Sequence, residues 1–241
     1  MKFFWCFSCF GCKRSQKSNW ISANISASIE APPTPPTTCF ILGLSGAGKS
    51  TFLCRIKTGQ FQQTKPTADY DVQEIPLPNQ MINFTEIASS DRRNFRLQFL
   101  RSRPPAPIAV LFFIDASKRD PEVIMKSLEE LVYALMYARS RECRVLYLGI
   151  VLNKQDLLLG GDDRRVGVRG LEVLKGMVGD TMKKLLSQQQ QKEEQRDVQE
   201  LVVVPQRWEV FADGVSMKTG VGVERILSGV GAGVMIEERE E

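Results

Sequence analysis

The sequence contains no histidine. That excludes Ser-His-Asp and Cys-His nucleophile systems, His-ligated zinc and imidazole general bases. Catalysis here must rest on carboxylates, lysine, backbone donors or a bound metal ion. Long apolar runs are also missing. The longest, 108–114 and 131–138, fall far short of the roughly 18 residues that a membrane-spanning helix needs. Nor is there a strong charge of either sign: 32 Lys and Arg against 28 Asp and Glu leave +4, too mild to point to nucleic acid. The six cysteines do not form a secreted disulfide framework. Cys6, Cys9 and Cys12 crowd the first dozen residues, and Cys39, Cys54 and Cys143 are scattered singly. The pattern reads as cytosolic and reduced.

What is present is ordinary globular composition, 241 residues with 43% hydrophobic and 25% charged, enough for one sizeable core. Residues 1–38 do not read as a domain. MKFFWCFSCFGCKR joins aromatics and cysteines to a basic end, and a Ser-rich stretch then leads into Pro32, Pro33, Pro35 and Pro36, an extended spacer. The globular pattern runs over 39–241. CFILGL (39–44) is a buried strand ending in a Gly-rich turn, and Lys49–Thr58 is a helix that Gly59 can stop. Tyr70–Leu77 and 81–87 form an antiparallel hairpin. Ile108–Asp115 is a continuous apolar strand, and Asp120 and Pro121 open a helix with Ile124, Leu128, Leu131 and Leu135, and Tyr133 and Tyr137, at helical spacing. Strand 145–152 ends in NKQD. Strand WEVFADGV (208–215) and a short helix near 223–227 close the pattern. Strands alternating with helices predict an α/β, three-layer fold, a mainly parallel sheet with helices on both faces. Between them, 161–205 breaks the rhythm: GGDDRRVGVRG is loop-like, and the Gln-rich low-complexity stretch within 182–200 is either a solvated helix or disordered.

The chemistry sits at the strand ends. Gly43-Leu-Ser45-Gly46-Ala47-Gly48-Lys49-Ser50 fits the phosphate-loop pattern GxxxxGK[ST], with a strand before it and a helix, begun by Thr51, after it. Its glycines let backbone N–H groups curl around a β-phosphate at a helix N-terminus. Lys49 reaches the β- and γ-phosphates, and the Ser50 hydroxyl ligates Mg²⁺. Asn153-Lys154-Gln155-Asp156 ends a buried strand, where open α/β sheets bind ligands. The Asp156 carboxylate can accept from both N1–H and N2–H₂ of guanine, which adenine cannot offer. Lys154 lies over the base and Asn153 braces the loop. GTP and GDP with Mg²⁺ are the expected ligands.

These motifs, with KPT (65–67) and Ser216-Met217-Lys218-Thr219-Gly220, occur in the order seen in small Ras-like GTPases. NKQDL and the stretch EELVYALMYARS…VLYLGIVL resemble the Arf and Arf-like branch over about 39–160 and 206–230. The resemblance implies the phosphate-loop NTPase fold of six strands and five helices, and a GTP/GDP switch. It places Thr67 on Mg²⁺ in the GTP state. It puts Ser216 and Met217 in the second base-contacting loop, with the Met217 N–H near the guanine oxygen. Effector proteins and exchange or activating factors are the implied partners.

The chain departs from the family's second switch, Asp-x-Gly-Gly-Gln. In one register Glu86 takes the Asp position as a metal ligand, Ala88 and Ser89 the glycines and Ser90 the Gln. In another, two residues later, Ala88 takes the Asp position and Arg92 the Gln. Neither keeps the Gln that orients the attacking water, so hydrolysis is expected to be slow. Arg92 or Arg93 is either an internal arginine finger or a solvated surface charge. Asp69 stands where the branch has glycine. Lys2 replaces the glycine that Arf proteins myristoylate. Cys6, Cys9 and Cys12 among aromatics, before Lys13 and Arg14, suggest instead a palmitoylated anchor on the cytosolic face of a membrane. A metal-binding CxxCxxC would lack its fourth ligand.

The expected function is an Arf-like switch recruiting effectors at a membrane, in vesicle or ciliary trafficking. The rival reading is a degenerate GTPase held in the GTP state as a membrane scaffold. A nucleotide kinase is a third reading, opposed by NKQD.

Overall fold

Residue pattern dictates which elements pack where. The computed structural model describes residues 37–78, 80–88, 107–118, 120–139, 144–159, 164–195 and 205–234, all within the compact unit Pro35–Glu241. Among them are β1 (Thr37–Gly43), α1 (Lys49–Thr58), β2 (Tyr70–Leu77), β3 (Gln80–Ile87), β4 (Ile108–Asp115) and α2 (Pro121–Arg139). After these come β5 (Val145–Asn153), α3 (Gln155–Leu159), α4 (Arg164–Gln195), β6 (Arg207–Phe211) and α5 (Val223–Val234). The strands form one sheet in the order β2-β3-β1-β4-β5-β6. The β2–β3 hairpin is antiparallel and every other pairing is parallel.

Both faces of the central strands are buried, so these strands are apolar at almost every position. Alternation along them sorts side chains into two cores. Leu42, Val110, Phe112 and Ile150 meet Ile124, Leu128 and Leu131 of α2 and Leu174 and Val178 of α4 on one face. Ile41, Leu111, Phe113 and Val151 meet Phe52 of α1 and Ile226 and Val230 of α5 on the other. Asp120 Oδ1 accepts from the Glu122 N–H at 2.9 Å and caps α2. Tyr133, expected on the apolar side of that helix, is 45% exposed.

Three expectations change, the first being that the closing strand, expected over 208–215, ends at Phe211 as β6. The Gln-rich segment, left between solvated helix and disorder, belongs to α4, which runs 32 residues. Its start lies inside the stretch read as a loop. There Gly167 packs against the backbone of Leu158, where a Cβ would collide with the carbonyl oxygen. Leu171, Leu174, Val178 and Met182 then lay down a buried stripe at helical spacing. Lys, Gln and Glu are strong helix formers, so a helix anchored by that stripe propagates past it. The last helix, expected over 223–227, extends to Val234 because Val230, Gly233 and Val234 are also buried.

Candidate nucleotide site

The site grows out of the C-terminal end of β1. Gly43 closes the strand at φ +135°, and a Cβ there would run into the Phe113 carbonyl of neighbouring β4. Ser45 and Gly46 are exposed, while Ala47 is buried. Gly48 is the N-terminal cap of α1 at φ 95°, a left-handed conformation that favours glycine. Lys49 is 4% exposed, and its Nζ donates to the Gly43 and Leu44 carbonyls at 3.0 Å each. Thr51 Oγ1 lies 3.5 Å from Thr64 Oγ1, joining α1 to the segment that carries Thr67.

Ser50, Thr67 and Glu86 converge. Ser50 Oγ donates to Glu86 Oε1 at 2.6 Å, and Thr67 Oγ1 lies 3.2 Å from Ser50 Oγ. Glu86 is 2% exposed, and its Oε2 is buried without a hydrogen-bond partner. Burial pushes its carboxyl above the ordinary range. The Ser50 hydroxyl, the Lys49 charge and the Thr67 hydroxyl pull it back, and Asp71, directly opposite on β2, pushes it further up. An orphaned carboxylate oxygen beside two hydroxyls is a hard-oxygen donor set that fits Mg²⁺. These residues line a cleft of about 270 Å³ together with the phosphate loop, Ala88 and Lys154.

The base side is held by Asn153, 1% exposed. Its Nδ2 donates to the Ala47 carbonyl at 2.8 Å, and its Oδ1 accepts from the Met217 N–H at 3.0 Å. One amide therefore ties the phosphate loop to the Ser216–Met217 loop. The Met217 N–H, expected near the guanine oxygen, is engaged by Asn153 here, and the Met217 side chain sits in the core. Ser216 is buried, its Oγ accepting from the Thr219 N–H at 3.3 Å. Asp156 is half-buried in the first turn of α3.

Three residues that hold the site were not singled out from sequence. Asp115, at the end of β4, pairs with Lys154 Nζ at 2.7 Å and thereby fixes a side chain whose backbone sits at φ 66°. Gln155 is buried, donating to the Leu152 carbonyl and accepting from the Gly214 N–H. Arg55 of α1 reaches the base loop. Asp115 and Gln155 had a local signal, a polar residue ending an apolar strand and the interior of NKQD; Arg55 had none. Ser90, Arg92 and Arg93 lie outside the described residues, as do Cys6, Cys9 and Cys12. Among the described residues, no helix is long and apolar enough to cross a membrane.

A Gly-rich turn from strand to helix, met at the strand ends by the NKQD and Ser216–Gly220 loops, defines a phosphate-loop α/β protein of the Ras-like fold. A solved structure of the Arl6 BBS3 small GTPase from Trypanosoma brucei, with bound nucleotide analogue GppNp, has that fold. It superimposes with a TM-score of 0.53 at 16% identity, covering 82% of this chain and 96% of its own. The chain belongs to the ADP-ribosylation factor family, whose model matches residues 33–175. Similar curated proteins are ADP-ribosylation factor-like protein 1 of Drosophila melanogaster, 31% identical over 119 residues, and its namesakes in Caenorhabditis elegans, at 29% over 119 residues, and Saccharomyces cerevisiae, at 30% over 118. Each match takes in 48% of this chain. The chain spans 61%, 61% and 59% of those relatives' lengths.

Proposed function

We propose that this protein binds GTP and GDP with Mg²⁺ and acts as a nucleotide-dependent switch. In this reading it recruits effector proteins at the cytosolic face of a membrane, in vesicle or ciliary trafficking, under exchange and activating factors. The observation that carries the reading is the Asn153 bridge between Ala47 and Met217, which sets a phosphate cradle and a base loop at a fixed separation. Guanine is favoured because Asp156 follows in that same loop as an acceptor-only carboxylate.

Each residue has a task. Backbone N–H groups of 45–50 and the Lys49 ammonium bind the phosphates. Ser50, Thr67 and Glu86 hold Mg²⁺, which neutralises phosphate charge when bound. Thr67 lies in the segment after α1, so its engagement orders that segment, and its release is the switch. Lys154, aligned by Asp115, covers the base. Attachment through palmitoylated Cys6, Cys9 and Cys12 belongs to the same proposal.

A second reading, a GTP-bound scaffold with negligible turnover, is favoured by Glu86 meeting Ser50 directly at 2.6 Å. That contact supports the register in which Glu86 takes the family's Asp position, and neither register keeps a Gln at the family's Gln position. One experiment separates the two. The 241-residue chain is loaded with labelled GTP, and bound nucleotide is followed over hours with and without Mg²⁺. Slow but steady appearance of GDP in the bound fraction supports a cycling switch; intact GTP with almost no GDP after hours supports the scaffold. Failure to retain guanine nucleotide, or equal retention of ATP, overturns both.

A further inference from the structure

Arg55 of α1 holds the base loop, and it does so across 162 residues of sequence. Its Nε donates to the Met217 carbonyl at 2.8 Å and its Nη2 to the Lys218 carbonyl at 2.6 Å. A planar guanidinium suits two acceptors on successive residues, which a single ammonium point charge cannot match. The receiving loop is shaped for it. Gly220 sits at φ +89°, and a Cβ there would collide with Arg55 Nη1 and lie 3.0 Å from its Cζ. Glycine at this position therefore meets two demands, a left-handed backbone and room for the guanidinium. The turn is otherwise closed on itself, with the Gly220 N–H on the Ser216 carbonyl at 2.9 Å and the Ser216 N–H on the Val221 carbonyl at 3.1 Å.

The loop is thus gripped from two sides. Asn153 takes the Met217 N–H from the β5 side, and Arg55 takes the Met217 carbonyl from the α1 side. Both ends of one residue's backbone are fixed by contacts within the protein, and such preorganisation strengthens binding by lowering its ordering cost. The backbone of Arg55 also accepts the Gly59 N–H at 2.7 Å, the contact that ends α1 where the Thr67-bearing segment begins.

We infer that Arg55 is a positioning residue for the nucleotide base, holding the Ser216–Gly220 loop in its binding geometry without touching the phosphates. The inference rests on the guanine-nucleotide reading above. The test compares wild type, Arg55→Ala and Arg55→Lys for binding of GDP and of inorganic pyrophosphate, which uses the phosphate loop but has no base. Arg55→Ala is expected to weaken GDP about tenfold, the scale of lost charge-assisted bonds, and to leave pyrophosphate unchanged. Arg55→Lys is expected to fall between, since it restores charge but not the fork. Unchanged GDP affinity in Arg55→Ala overturns the inference. So does a proportional loss of both ligands, which would make Arg55 a general fold residue. Wild type that binds pyrophosphate but no GDP would instead sink the guanine reading itself, and this inference with it.

Discussion

Ser50 Oγ donates to Glu86 Oε1 at 2.6 Å across 36 residues of sequence, and the other carboxylate oxygen of Glu86 is buried without a partner. A buried anion half-satisfied in this way is costly unless a cation joins it. Glu86→Gln keeps the shape and removes the charge. It should weaken the Mg²⁺ dependence of nucleotide retention by about tenfold or more, the scale of a lost charged contact. Glu86→Asp should keep most of that dependence. Release of fluorescent GDP across a Mg²⁺ titration measures both, and an unaltered Mg²⁺ midpoint in Glu86→Gln would remove Glu86 from the metal set.

The same carboxyl makes the metal-free chain pH-sensitive. Burial raises it above the ordinary carboxylate range. Ser50, Lys49 and Thr67 oppose the rise, and Asp71 adds to it. A raised folded value means the folded chain binds this proton more tightly than the unfolded chain. The stability it contributes is then complete below the ordinary range and lost as pH climbs through the raised value. With chelator and no nucleotide, the melting temperature should fall over that window in wild type, and Glu86→Gln should flatten the fall. Identical pH profiles for the two proteins would show that Glu86 does not titrate there.

Asn153 joins two loops with one amide. Asn153→Ala strands the buried Ala47 carbonyl and Met217 N–H, at about 1–3 kcal/mol for each unsatisfied group. GDP dissociation should accelerate at least about tenfold. Stopped-flow release provides the measurement, and a rate within twofold of wild type would refute the bridging role.

The long helix α4 is anchored by its first half. Met182, 0% exposed, is the last buried residue described in it, and Ser187 beyond it is exposed. Met182→Ala should cost about 2–5 kcal/mol through lost burial and a cavity. Ser187→Ala should change stability by no more than about 0.5 kcal/mol, as exposed substitutions do. Urea denaturation resolves the two, and equal losses would mean the far half also packs.

Local chemistry wrote much of this protein directly into its sequence. Glycines at 43, 46 and 48 before Lys49 and Ser50 specify a phosphate loop because few other residues permit that backbone. Gly59 at φ 73° ends α1 where glycine predicts an end, and the apolar runs at 108–114 and 145–152 read as short strands covered on both faces. The Gln-rich segment was not legible in the same way. Its own residues favour helix without requiring it, and what decides is the stripe from Leu171 to Met182 against the sheet. Tertiary structure set Glu86 directly against Ser50, a pairing that only one of the two sequence registers implied, and it alone brought Asp115 to Lys154 and Arg55 to Met217. Those meetings depend on sheet order, which sets β3 and β4 on either side of β1 and carries β5 and its neighbouring loops to the mouth of the phosphate loop. Periodicity reports which face a residue occupies. It carries no information about which distant loop will stand opposite, and for Arg55 that is the whole of its role.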